Sequence, residues 1–236
     1  MGPTRVPALV LAGGLGTRLR ERVADVPKPM APVAGRPFLE YVLDELVSND
    51  VPRAVLSIGH LGEAIEAHFG TSYGPMAIEY SREDRPLGTG GAIRRAAPLL
   101  GGHEFLVLNG DTSAPFEVDD LLDARVRHRK DLVLTVCEVP DVGRYGAVRA
   151  DGGTVSALVE KGSSGPGLIN CGVYLVAGGL LDRVAAGPEV FSFERDVMHP
   201  WVADHGAACV ATEGPFIDIG VPADYDRAAD VLTPTR

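Results

Sequence analysis

Residues 7–30 read PALVLAGGLGTRLRERVADVPKPM. The first six residues are a short apolar run that stops at glycine, which predicts a buried strand. Gly13, Gly14 and Gly16 follow at once, then Thr17 and Arg18. Ten residues after Arg18, Lys28 stands between two prolines. A glycine loop after a strand exposes backbone N–H groups that can surround an anion. The glycines alone equally suit a tight turn packed against its neighbours. Arg18 and Lys28 shift the balance, because two cations beside one anion-shaped loop are costly until an anion arrives. Two better-known loops do not fit. The dinucleotide fingerprint needs a helix starting at the loop, and Pro27, Pro29 and Pro32 keep any helix here short. A nicotinamide oxidoreductase fails on that ground. The GxxxxGK[ST] spacing of nucleoside triphosphatases is absent.

Outward from this loop, strand and helix patterns alternate. Strands are expected at 53–59, 76–81, 104–111 and 131–139, and helices at 37–50, 61–70, 89–100 and 117–130. Such alternation implies right-handed strand-helix-strand units around a mainly parallel sheet, an α/β fold with helices on both faces. After residue 140, strand patterns at 146–150, 154–161 and 168–176 follow one another without helices. They should shape a substrate side. Helical patterns near 178–186 and 222–232 complete the chain. Ligands of open sheets sit at the carboxyl ends of the strands. The glycine loop and residues 109–111 both fall at such ends.

The bulk numbers limit the partners. The 236 residues carry 45% hydrophobic and 23% charged side chains and a formal net charge of −10, an ordinary globular composition with an acidic balance. That charge disfavours nucleic acid and anionic membranes, so a phosphate ligand needs a local cationic site. Cys137, Cys171 and Cys209 are odd in number and far apart, which argues against a disulfide framework or a zinc site and fits a reducing cytoplasm. No signal peptide is expected in residues 1–10. The uncharged run 162–181 holds Pro166, Asn170 and several glycines, which argues against a membrane span. The six histidines, His60 and His199 among them, show no ligand spacing and are read as structural.

LAGGLGTRL followed by PKPM resembles the signature of the sugar-1-phosphate nucleotidyltransferases. The resemblance covers essentially the whole chain. RPLGTGGAI (85–93), FLVLNGDT (105–112), VEK (159–161), NCGVYLV (170–176) and FIDIGVPADY (216–225) fall in the family's order. DVPKPMAPVAGRPFLEY, EYSREDRPLGTGGAI and INCGVYLV are most similar to the D-glycero-α-D-manno-heptose 1-phosphate guanylyltransferase branch. The resemblance implies a Rossmann-like fold in one domain over 1–236, with a nucleotide-binding part to about residue 140 and a sugar-binding part beyond. It implies attack of a sugar 1-phosphate oxygen on the α-phosphorus of a nucleoside triphosphate, with pyrophosphate leaving. Such a reaction asks mainly for positioning and charge neutralisation.

By the same resemblance, Leu11, Ala12, Gly13, Gly14, Gly16 and Thr17 bind the nucleotide. Arg18 clamps the phosphates and Lys28 serves the α-phosphate. Asp111 and Asp218 hold Mg²⁺, a cation that suits carboxylates plus phosphate oxygens. Taken singly, Asp111 also reads as a turn residue in Asn-Gly-Asp, and Asp218 as a helix cap. Glu83 occupies the family's base-facing position, five residues before Gly88. A carboxylate can accept from guanine N1–H and N2–H₂ together, which points to GTP. The less favoured reading of Glu83 is a surface acid in the run SREDR, and Asp84 is the alternative register for the base-facing acid. Gly88 and Thr89 lie near the base and ribose. Gly146, Glu160, Lys161 and Asn170 match sugar-phosphate positions, although a lone Asn in a strand is as often a satisfied core amide. Arg144 and Tyr145 are near enough to contact the ligand, Cys171 reads as packing, and FSFERDVM (191–198) reads as a supporting helix without a catalytic role. No carboxyl-terminal extension is expected, hence a single activity, in a cytoplasmic monomer or homodimer with no nucleic-acid or membrane partner. Mannose 1-phosphate guanylyltransferase, a transferase using dTTP, UTP, CTP or ATP, and a non-catalytic sugar-nucleotide-binding regulator are the alternatives.

Overall fold

The apolar run at 7–12 becomes the strand on which the first half is laid. The structure is a computed structural model that describes residues 6–14, 16, 19, 22–23, 26–162 and 164–233. In chain order, its elements begin with β1 (Ala8–Leu11), a 3-10 turn (Lys28–Met30), the hairpin β2 (Pro32–Val33) and β3 (Arg36–Pro37), and α1 (Phe38–Ser48). β4 (Arg53–Ile58), α2 (Gly62–Phe69), β5 (Ser72–Tyr73), β6 (Met76–Arg82), α3 (Gly88–Leu100), β7 (Glu104–Asn109), β8 (Thr112–Ser113) and α4 (Val118–His128) follow. The second half holds β9 (Leu132–Val139), β10 (Ala147–Asp151), β11 (Thr154–Val159), β12 (Gly167–Ala177) and α5 (Gly178–Ala185). A π-helical turn (Phe193–Met198), α6 (His199–His205), β13 (Ala207–Ala211), β14 (Ile217–Asp218) and α7 (Pro222–Leu232) close it.

One sheet of ten strands runs through both halves in the order β10-β11-β13-β9-β12-β7-β1-β4-β6-β5. The stretch β7-β1-β4-β6 is parallel throughout. β12 then enters antiparallel between β7 and β9, so the added strands make the sheet mixed. The hairpin from β10 to β11 turns on Gly152 and Gly153, both at positive φ, as a two-residue turn matched to strand twist requires.

β1 shows why its residues are apolar without interruption. Ala8 and Val10 face the core that holds Phe38, Val42 and Leu46 of α1. Leu9 and Leu11 face the opposite core with Ile93, Ala96 and Leu100 of α3. A strand covered on both faces has no polar side to alternate with. Each buried leucine of this kind contributes about 1.5–3 kcal/mol.

The sheet delivers two loops to one place. The Gly110 N–H donates to the Leu11 carbonyl at 3.0 Å, and the Ala12 N–H donates to the Ser57 carbonyl at 2.8 Å. A side chain at Gly110 would stand 2.8 Å from the Leu11 oxygen, so the two backbones meet only through glycine. Downstream, β8 pairs antiparallel with β14, setting Thr112 opposite Asp218. The Ile219 N–H donates to the Asp111 carbonyl at 3.0 Å. Segments more than a hundred residues apart are thereby fixed side by side.

The major strands and helices expected from the sequence are present, with ends shifted by a few residues. The two-residue strands β2, β3, β5, β8 and β14 have no periodicity to read, and β13 and α6 are additions to the expected elements. The start of α3 is stitched to the segment before the π-helical turn. The Phe191 N–H donates to the Leu87 carbonyl and the Gly90 N–H donates to the Phe191 carbonyl, both at 3.0 Å. A Cβ on Gly90 would overlap the Phe191 ring, and one on Gly91 would overlap the Glu189 carbonyl oxygen. Alanine in a helix is favoured over glycine by up to about 1 kcal/mol. Overpacking costs about 1–3 kcal/mol, and a backbone carbonyl cannot rotate away as a side chain can. We therefore expect Gly91→Ala to lower the urea midpoint, while Gly102→Ala, with only ordinary contacts at 3.6 Å and beyond, leaves it nearly unchanged. Equal midpoints for the two variants would refute the interlock.

Candidate active site

A cleft opens at the carboxyl ends of the parallel strands and divides into two basins. The first, about 410 Å³, is lined by Leu11, Gly13, Gly14, Lys28, Glu83, Gly88, Thr89, Asp111 and Asp218 among others. The second, about 310 Å³, is lined by Gly146, Glu160, Lys161, Asn170 and again Asp218. Residues named from widely separated stretches of sequence are thus brought together. Ala12 is buried beneath the loop. Gly16 lies against Lys28, whose Cβ would stand 3.0 Å from a side chain there. Thr17 and Arg18 lie outside the described residues.

The centre of the cleft is an ion pair. Lys28 Nζ donates to Asp111 Oδ2 at 2.5 Å. The lysine side chain is only 12% exposed and the aspartate 38%, so water screens this pair less than a surface pair. Lys28 opens a 3-10 turn whose Met30 N–H donates to the Pro27 carbonyl at 2.7 Å, and Pro29 is buried. The lysine is therefore presented from a stiff, anchored segment. Asp218 Oδ1 accepts from the Gly220 N–H at 2.6 Å. A Cβ on Gly220 would lie 2.6 Å from that oxygen and 3.1 Å from Lys28 Nζ, so one ammonium stands against both aspartate turns.

Among the described residues, no group of three or more His, Cys, Asp or Glu forms a self-sufficient metal cage. Asp111 and Asp218 are two hard oxygen donors facing one basin. That donor set fits a cation which takes its remaining ligands from phosphate and water.

In the first basin, Glu83 Oε1 accepts from Ser57 Oγ and Glu83 Oε2 accepts from the Leu87 N–H, both at 3.0 Å. The carboxylate is held rigidly, and each oxygen keeps a second lone pair. A side chain on Gly13 would stand 3.0 Å from Glu83 Oε1. Gly88 sits at φ +72°, with the Phe191 carbonyl oxygen 2.5 Å from where a Cβ would be. Its need for glycine is set by this packing. Thr89 Oγ1 accepts from the Phe193 N–H at 2.9 Å.

On the other side, Glu160 and Lys161 are exposed at the rim of the second basin. A Cβ on Gly146 would meet the Val159 carbonyl oxygen at 2.6 Å. Asn170 is held on two sides: Nδ2 donates to Tyr174 Oη at 2.7 Å, and Oδ1 accepts from the Gly172 N–H at 3.0 Å, which leaves one N–H and one lone pair unused. Arg144 pairs with the buried Asp224 and lies 4.5 Å over the Tyr145 ring, which itself lines the second basin. His199 lines that basin too, and His60 lines a hollow beside Glu83. Cys171 is buried, and its hydrogen bond with Cys137, together with burial, pushes its thiol far above the ordinary range. It stays protonated at neutral pH and acts as packing.

Sequence reasoning missed Glu194. It sits on the π-helical turn and lines both basins. Nothing in FSFERDVM separates Glu194 from the adjacent charges of Arg195 and Asp196. Only the turn geometry does.

The nucleotidyl transferase family matches residues 7–234. The chain belongs to this family. Among its members, a D-glycero-alpha-D-manno-heptose 1-phosphate guanylyltransferase from Aneurinibacillus thermoaerophilus is 36% identical over 225 residues, covering 95% of this chain and 97% of the relative. A mannose-1-phosphate guanylyltransferase from Mycobacterium tuberculosis is 35% identical, covering 98% of this chain and 66% of the relative. The crystal structure of HddC from Yersinia pseudotuberculosis complexed with GMP-PN superposes with a TM-score of 0.82 at 34% identity, covering 95% of this chain and 98% of that one. No helix among the described residues of this transferase is long and apolar enough to cross a membrane.

Glu194 is exposed toward the cleft, yet the packing around its carboxyl removes enough water to push it above its ordinary range. The Tyr174 hydroxyl pulls the other way, as do Lys161 and His199, while Asp111 adds to the rise. The folded chain therefore holds a proton there more tightly than the unfolded chain. Stability falls as pH climbs from the ordinary glutamate range through the raised value. Glu194→Gln carries no charge at any pH. It should unfold at a higher denaturant concentration than the wild type at pH 7 and lose that advantage in acid, where Glu194 is protonated in both states. The side open to the cleft is screened by water, so the expected gain is a direction and not a large shift. Identical midpoints at pH 7 would count against it.

Proposed function

We propose that this transferase moves a guanylyl group from GTP to D-glycero-α-D-manno-heptose 1-phosphate, yielding GDP-heptose and pyrophosphate. The observation that carries the reading is the pair of adjoining basins, with Lys28 and Asp111 in the first and Asp218 lining both. The first basin takes the nucleotide and the second the sugar phosphate, within one domain divided near residue 140. An oxygen of the sugar phosphate attacks the α-phosphorus, the bond to the β-phosphate oxygen breaks, and pyrophosphate departs.

The loop at Leu11, Ala12, Gly13, Gly14, Gly16 and Thr17 receives the triphosphate, with Arg18 as its clamp. Lys28 neutralises charge at the α-phosphate. That requires its bond to Asp111 to loosen as the substrate enters, and both partners lie at the cleft wall. Asp111 and Asp218 would hold Mg²⁺, which would neutralise phosphate charge there. Glu83 accepts from guanine N1–H and N2–H₂ with the lone pairs that Ser57 and Leu87 leave free. Gly88 and Thr89 bound the base and ribose. Gly146, Glu160, Lys161 and Asn170 form the sugar side. The similarity to named heptose and mannose guanylyltransferases supports the guanine reading. Mannose 1-phosphate is the second reading, favoured by the 35% identity to the mycobacterial relative. Heptose and mannose differ by one exocyclic carbon, a difference worth roughly 1–3 kcal/mol of discrimination. The enzyme works in the cytoplasm, as a monomer or homodimer.

The deciding assay is pyrophosphate release with Mg²⁺, five nucleoside triphosphates and heptose, mannose and glucose 1-phosphates. GTP should exceed every other nucleotide. A preference for another nucleotide would defeat the role of Glu83 and leave the family standing. Asp111→Asn, Asp218→Asn and Lys28→Ala should each lower turnover by about 10²-fold or more while circular dichroism stays unchanged. Near-normal turnover in any of the three removes that residue from the mechanism.

A further inference from the structure

Among the described residues, four line both basins: Asn109, Thr112, Asp218 and Glu194. Glu194 alone of these comes from the π-helical turn. Its neighbours Ser192, Arg195, Met198 and His199 line only the second basin. The carboxylate thus reaches from the sugar side to the junction.

Its position is fixed from several directions. The Phe193 N–H is held by Thr89 Oγ1 at 2.9 Å. The Phe193 ring stands edge-on to the Tyr174 ring at 5.8 Å. Behind the carboxylate runs a directed relay. Asn170 Oδ1 accepts from the Gly172 N–H, which orients the amide so that Nδ2 donates to Tyr174 Oη at 2.7 Å. With that oxygen already accepting, the phenolic proton is free to point at Glu194 Oε1, 3.4 Å away. Tyr174 is fully buried, so its hydroxyl has no water to turn to.

A carboxylate at the meeting point of two phosphate-binding basins repels both ligands. What it can accept is a hydroxyl proton. Arg195 is paired with Asp196 at 2.8 Å, so the cationic groups facing Glu194 are Lys161 and His199 in the second basin, where a sugar phosphate would compete for them. We infer that Glu194 is a specificity-determining residue that accepts a hydrogen bond from one hydroxyl of the sugar 1-phosphate. Its charge turns the phosphate toward Lys28. Asn170 and Tyr174 are positioning residues that act through it. This inference rests on the sugar 1-phosphate reading above.

The test is steady-state kinetics of the wild type, Glu194→Ala, Glu194→Gln and Tyr174→Phe, with sugar 1-phosphates lacking one ring hydroxyl at a time. Loss of a hydrogen bond to a charged acceptor should raise the sugar KM about tenfold or more in Glu194→Ala. The KM for GTP should stay within about twofold, and Tyr174→Phe should show a smaller rise in the same direction. One deoxy sugar should be a poor substrate for the wild type and no worse than the parent sugar for Glu194→Ala. A wild-type sugar KM in the Glu194 variants, a matching rise in the GTP KM, or equal losses on every deoxy sugar would overturn the inference and leave the sugar reading intact. A wild type that turns over no sugar 1-phosphate with any nucleotide would overturn both.

Discussion

Two aspartates held side by side, with one ammonium against them, set the terms for the whole cleft. Asp111 and Asp218 come from segments more than a hundred residues apart, and their like charges oppose the approach. The β8–β14 pairing and the bond from the Ile219 N–H to the Asp111 carbonyl enforce it. Lys28 makes it tolerable, at 2.5 Å from Asp111 and close to the Asp218 turn. The pair cannot be fully buried, because a desolvated triad would cost several kcal/mol per ion. It therefore lies at the wall of an open cleft, where a polyanion and its cation can replace the internal partners. The parallel sheet is the rigid frame on which this unfavourable arrangement is mounted.

Much of that frame was legible, because continuous apolar runs and helical spacing report burial on both faces of a sheet. β1 and α1 are instances: Ala8 to Leu11 alternate between two cores, and Phe38, Val42 and Leu46 share one face. The residues that gather in the cleft were legible only through the resemblance of whole motifs. No single one of Asp111, Glu83 or Asn170 carries a signal that separates it from a turn acid, a surface acid or a core amide. Asn170 illustrates the point, since its amide is held by Tyr174 and Gly172 while it also lines a basin. The β8–β14 pairing was invisible, as two residues have no period.

The glycines of RPLGTGGAI show how function and packing can share one short motif. Gly90 and Gly91 lie in the helix, where glycine is the weaker choice. The resemblance places only Gly88 and Thr89 of this motif beside a ligand. The structure gives the cause for the other two glycines, because the chain at 189–191 crosses so tightly that its carbonyls and the Phe191 ring fill the space where side chains would be. That crossing carries the π-helical turn to the cleft. The glycines at the start of α3 are thus what lets Glu194 stand at the junction.

Glu194 is then understood as a local conflict that the fold supports from behind. A carboxylate pushed above its ordinary range by the packing around it and by Asp111 does not help the chain fold at neutral pH. Asn170, Tyr174, Thr89 and Phe193 nevertheless hold it in one place. A carboxylate braced by four neighbours at the junction of two basins is best explained by what enters the cleft. The same reasoning covers the aspartate pair. In both cases like charges are held close by the fold, and phosphates, a cation and hydroxyls are the groups whose chemistry matches them. Substrate recognition is therefore written less in any one contact than in the set of charges the sheet forces to coexist.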